Sequence, residues 1–125
     1  MLTSTGGYTS FSTDDLAAAL TFYRDTLGLQ VVEHPQGLDI VFPGGGVVFV
    51  YEKRDHQPAT YTALYLNVDD IDVAVDELAA SGIALEHYEG GYQDEKGVTR
   101  GRSADRGPDI AWFLDPARNI VAIVH

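Results

Sequence analysis

A chain of 125 residues, 45% of them hydrophobic, has the size of one domain whose core needs no covalent staple. It has no cysteine, which excludes disulfides, thiolate metal sites and a thiol nucleophile. The formal charge of −11 argues against nucleic acid and anionic membranes as partners, because phosphate binding requires a basic surface. No apolar run approaches the ~20 residues that span a bilayer. The opening MLTSTGGYTS lacks the basic and apolar regions of a signal peptide, so the expected location is the cytoplasm.

In chain order, a first strand through FST runs into Asp14-Asp15, a pair suited to capping the helix that follows. Carboxylates there also meet the positive end of the helix dipole. Leu16, Leu20, Tyr23 and Leu27 recur at helical spacing, and Gly28 marks the stop. The strand LQVVEH follows, then the hairpin LDIVF-PGGG-VVFVYE, with glycines supplying the turn. After the connecting EKRDHQPATYT, the pattern starts again. LYLNVDDI repeats strand and Asp pair, Ile71, Val75, Leu78 and Ala79 repeat the helix, and Gly82 repeats the stop. IALEHYE and the hairpin DIAWFL-DPARN-IVAIVH complete the second copy. Each half therefore reads β-α-β-β-β, over residues 1–53 and 62–125, with 54–61 as linker.

The segments FSTDDLAAALTFYRDTLGL, LNVDDIDVAVDELAASGI and WFLDPARNIVAIVH resemble the vicinal oxygen chelate superfamily, which includes glyoxalase I, extradiol dioxygenases and bleomycin-resistance proteins. The resemblance covers nearly the whole chain and is specific for the fold rather than for any one activity. It implies an α+β fold, two βαβββ modules forming a curved, cup-shaped mixed sheet, usually in a homodimer. It also implies where metal-dependent members carry ligands, on the first and last strands of each module. Those places hold Tyr8, Phe49, Ala63 and Ala122 here. Phenylalanine and alanine coordinate nothing, and one tyrosine is no site for a divalent transition metal. None of His34, His56, His87 and His125 matches a ligand place; His34 and His87 read as rim histidines. No metal and no other cofactor is expected.

Strand alternation then assigns faces. With Tyr8 facing the cup, Ser10 and Ser12 face it too; with Ala63 inward, so are Tyr65 and Asn67. Taking DPARN as the hairpin loop places Leu114 opposite Ile120 and Trp112 opposite Ala122. The alanine is expected to leave room for the indole, so Ala122→Leu would fill a roomy cup with little strain. The same count on the first hairpin, with PGGG as its loop, places Ile40 opposite Phe49. The expected ligand-binding set is Tyr8, Ser10, Phe49, Tyr51, Tyr65, Asn67, Tyr92, Trp112 and Ala122. It is apolar and aromatic with a few neutral polar groups.

The connection GGYQDEKGVTRGRSADRGP is far longer than the PQG of the first half and carries half of the eight Lys and Arg residues. It reads either as a solvated surface loop or as a lid or dimer arm from which an arginine or Tyr92 reaches the ligand. The leading expectation is a metal-free protein that binds a small hydrophobic or aromatic molecule, resembling the drug-sequestering members of the superfamily, with no catalytic residue assigned. The alternative is a lyase, isomerase or dioxygenase on a small organic substrate, for which Tyr8 or Tyr65 with Asn67 is the available acid–base set. A protein-interaction module using the acidic surface is the third class.

Overall fold

The computed structural model describes all residues, 1–125. The chain divides into two compact units, Met1–Pro58 and Ala59–His125. Each is an α+β unit built on a four-stranded mixed sheet.

In the first unit, β1 (Thr9–Thr13) leads into α1 (Leu16–Leu20), which widens into a π-helical turn over Thr21–Thr26. Asp15 caps α1, its carboxylate accepting the Ala18 amide at 3.0 Å. The regular helix expected through Leu27 thus changes pitch at Thr21, and the Leu27 amide reaches back five residues to Phe22 O. This turn buries Tyr23 completely, against Phe11 of β1. Strands β2 (Gln30–His34), β3 (Gly37–Val41) and β4 (Val47–Glu52) follow, in the sheet order β1-β4-β3-β2. Only β1 and β4 run parallel. Leu38, Ile40, Val48 and Val50 are buried on one face.

In the second unit, β5 (Thr62–Asn67) leads to α2 (Ile71–Ala80), capped by Asp70, which accepts the Asp72 and Val73 amides. The helix buries Ile71, Ala74, Val75 and Leu78; Ala79, expected among them, is exposed. Short β6 (Thr99–Arg100), β7 (Asp109–Leu114) and β8 (Ile120–Val124) complete the order β5-β8-β7-β6.

The expected strand IALEHYE is reduced to a single bridge, Leu85 to Phe113. The reason lies in Gln93, whose amide donates to Glu86 O at 2.9 Å and accepts the Tyr88 amide at 2.6 Å. Backbone groups that a ladder would use are satisfied by a side chain instead. The β7–β8 turn is closed as expected. Asp115 accepts the amides of Ala117 and Asn119, and the Asn119 side chain donates back to Asp115 Oδ2 at 3.0 Å.

Candidate ligand-binding site

The face of the first sheet opposite its helix carries the alternate residues of four strands. Tyr8 immediately precedes β1, and Ser10 and Ser12 follow on it. Ser10 stands beside Phe49, and Ser12 beside Tyr51. On the antiparallel side the register differs from expectation: Asp39, not Ile40, stands opposite Phe49. Phe42 belongs to the loop, where its amide donates to Gly46 O, so the loop runs Phe42–Gly46 and pairing begins at Val41–Val47. A one-residue slip exchanges the two faces of a strand. Ile40 is therefore buried on the helix side, and a carboxylate occupies the open face.

That carboxylate organises its surroundings. His34, at the end of β2, places Nε2 3.2 Å from Asp39 Oδ1 and Nδ1 3.1 Å from Gln36 Oε1. Hydrogen bonds to Asp39 first, and then to Gln36, raise the imidazole pKa above its usual value, since both partners are acceptors for the protonated ring. The ring lies nearly parallel to Phe49, at 5.3 Å between centroids and 12° between planes. Phe49 stacks in turn with Tyr51 at 5.7 Å and 18°. Gly37 makes this arrangement possible: a Cβ there would lie 2.2 Å from Val50 O and 3.0 Å from Phe49 Cε1.

Beside the stack opens a cleft of about 630 Å³. Tyr8 (74% exposed), His34, Gln36, Asp39 and Phe49 line it, with the glycine-rich β3–β4 loop as a further wall. No lysine or arginine lines it. Of the expected site residues, Tyr8 and Phe49 line this cleft and Tyr51 extends its stack. Ser10 lies on the same face, exposed. Ser12 meets His56 Nδ1 at 2.6 Å, a contact that ties the segment after β4 to the sheet.

On the second sheet, Trp112 stands opposite Ala122 and Leu114 opposite Ile120, as the five-residue loop required. Tyr65 flanks Ala122 on the other side. Ala122 is 0% exposed, so the room expected beside it is closed. The register of β5 shifts between Thr62 and Leu64, which leaves Ala63 without a partner and sets Thr62 opposite Ile120. Thr62 Oγ1 accepts the Trp112 indole N–H at 3.2 Å, a role the plain alternation from Ala63 missed. Tyr88 meets the indole edge-on at 5.6 Å. Burial, and then the Glu86 charge, push the Tyr88 phenol pKa up. Tyr65 is 55% exposed, and Asn67 is exposed at the strand end. Tyr92 is 87% exposed at the tip of the long connection, where its φ is +54°.

That connection is pinned to its own unit. Arg100 donates to both carboxylate oxygens of Asp72 on α2, at 2.7 and 3.0 Å, and to Asp94 Oδ2 at 3.0 Å. The guanidinium holds Asp72 below the usual carboxylate range. Thr99 Oγ1 donates to Gly91 O, and Val98 is fully buried. Arg100 is therefore occupied on the helix side of its sheet, and of the arginines expected to reach a ligand only Arg102 and Arg106 remain exposed.

The donor set does not fit a metal. Tyr8, Phe49, Ala63 and Ala122 offer one phenol among them, and no group of three His, Cys, Asp or Glu side chains comes together. The His34–Asp39 pair supplies two donors that are already committed to each other.

The model of the Glyoxalase/Bleomycin resistance protein/Dioxygenase superfamily matches residues 7–123, and the chain belongs to this family. Comparison with curated protein sequences returns no match. Solved structures similar in fold include a lactoylglutathione lyase from Agrobacterium tumefaciens, at TM-score 0.67 and 21% identity, with 97% of this chain and 93% of that one covered. A glyoxalase/dioxygenase from Nostoc punctiforme matches at TM-score 0.68 and 17% identity, over 99% and 97%. The fosfomycin resistance protein FosX from Listeria monocytogenes matches at 0.65 and 12%, over 98% and 93%. The fold therefore serves both lyases and resistance proteins. No helix in the structure is long and apolar enough to cross a membrane.

Proposed function

We propose that the protein binds a small planar organic molecule without a metal, and that the cleft of the first unit is its site. The observation that carries this reading is the stack of His34, Phe49 and Tyr51 beside an open cleft of about 630 Å³. The aromatic lining of the cleft, Tyr8, His34 and Phe49, favours a flat ligand, and each ring contact contributes about 0.5–1.5 kcal/mol beyond burial. The volume lies in the range of small-molecule pockets, roughly 300–1,000 Å³. Sequestration of an aromatic antibiotic is the biological role this chemistry serves best. A homodimer is part of the proposal, because an exposed aromatic face and unpaired strand edges are costly in water.

The test is titration of the purified chain with bicyclic and tricyclic aromatic compounds, followed by calorimetry, on wild type and Phe49→Ala. Binding that Phe49→Ala weakens at least tenfold supports the site. Equal affinity in both proteins excludes it. Elemental analysis of dialysed protein finding one transition metal per chain would overturn the metal-free reading.

One observation favours a second reading, an enzyme of the lyase or isomerase class. The His34–Asp39 contact is an oriented imidazole–carboxylate pair, the arrangement used for general acid–base catalysis. It is an acid–base candidate beside the set of Tyr8 or Tyr65 with Asn67, and would act through Nδ1 once a substrate displaces Gln36. Turnover of an α-hydroxy- or α-oxo-carbonyl substrate that His34→Ala abolishes would favour it over simple binding.

A further inference from the structure

We infer that the cleft selects planar bases: aromatic rings that carry a positive charge and N–H donors at one edge, with the ring against Phe49 and the edge on Asp39. This rests on the reading of the cleft as a stacking site, and specifies the ligand class.

Three observations converge. First, Asp39 stands directly opposite Phe49 on the same face of the sheet. Opposed residues have Cβ atoms roughly 5 Å apart, so a ring held in the cleft beside Phe49 lies within reach of the carboxylate. Second, the charged capacity left in the cleft is that of an acceptor, the other free polar groups, the Tyr8 hydroxyl and the Gln36 amide, being neutral. While protonated, His34 donates Nε2–H to Asp39 and Nδ1–H to Gln36 and so keeps no N–H for a ligand; the neutral ring has a single N–H and holds only one of these contacts as donor. A carboxylate accepts at about four lone-pair positions, and His34 takes one of them through Oδ1. The Asp39 side chain keeps 34% of its surface exposed, enough to reach a ligand. Third, the charged and titratable side chains lining the cleft are Asp39, His34 and Tyr8, with no lysine or arginine. An anionic ring would meet the carboxylate without a free cation to answer it. A cationic ring meets a carboxylate on a chain of net charge −11.

The His34–Asp39 contact adds a dependence on pH. While the imidazole is protonated its charge balances Asp39. Once it loses its proton, the carboxylate's charge is uncompensated and attraction for a cationic ring increases. Affinity for planar bases therefore rises with pH across the His34 titration, whereas affinity for neutral rings stays level.

The test uses three rings of one size on the full chain: 4-aminoquinoline, which is cationic at neutral pH, neutral quinoline, and anionic quinoline-4-carboxylate. Calorimetry is expected to rank them in that order, with the cation at least about tenfold tighter than quinoline, the effect of one charge-assisted hydrogen bond. Added salt should narrow the gap. Asp39→Asn should remove the preference, bringing the affinity of 4-aminoquinoline to that of quinoline measured on the same variant. The ranking on wild-type protein needs no variant, so a poorly folding Asp39→Asn leaves the test intact. If quinoline equals 4-aminoquinoline, or the carboxylate binds tightest, the inference falls and the stacking site stands. If none of the three binds, both fall.

Discussion

The imidazole of His34 and the ring of Phe49 lie 5.3 Å apart and 12° from parallel, with the same imidazole bonded to Asp39 at 3.2 Å. A stacked ring and a charged edge thus share one residue. The geometry of the cleft depends on keeping both contacts, and each can be tested separately.

Gly37 sits beneath the arrangement. Because a Cβ at this position would fall 2.2 Å from Val50 O, Gly37→Ala must displace backbone as well as the Phe49 ring. We expect a stability loss of about 1–3 kcal/mol, the usual cost of overpacking. Urea unfolding measures it, and ligand affinity should fall with it. An unchanged midpoint would show that β3 and β4 are not packed as described.

His34 should titrate above an ordinary histidine because Asp39, and then Gln36, favour its protonated form. The folded-state value exceeds the unfolded one, so this stabilising contribution is complete below the ordinary histidine pKa. It is lost as pH rises through the raised value. Proton NMR of the His34 ring in wild type and Asp39→Asn tests this. The variant should return the pKa toward normal, and identical titrations would mean that the pair does not form in solution.

Ala122 has no exposed surface, lying between Tyr65 and Trp112 in the sheet. Ala122→Leu is therefore expected to cost about 1–3 kcal/mol through overpacking, not to fill an open pocket harmlessly. Thermal or urea denaturation decides, and a variant as stable as wild type would reveal hidden room beside the indole.

The connection between α2 and β7 hangs on Arg100. Arg100→Ala removes the fork to Asp72 and the bond to Asp94. Amide exchange at Val98 and Thr99 should quicken in the variant, with little change at Ile123 in the sheet interior. Unchanged exchange at Val98 would assign the anchoring to Gln93 and Asp94 alone.

Local chemistry in the sequence determined the repeat. Asp15 and Asp70 cap their helices, apolar spacing marks the buried faces, and DPARN sets the Trp112–Ala122 register, all through contacts between residues close in the chain. Even Asp39 was legible in principle: treating FPGGG as five loop residues, as DPARN is treated, places it opposite Phe49. What only the tertiary structure decided is whatever depends on partners distant in sequence. The bulge in β5 turns Thr62 toward Trp112, fifty positions away. Gln93 displaces a strand by satisfying its backbone, and Arg100 is drawn to α2 by Asp72. Residue type predicts that such groups need partners, because an unpaired buried polar group is costly. Which partner each one finds is set by where the folded chain brings it.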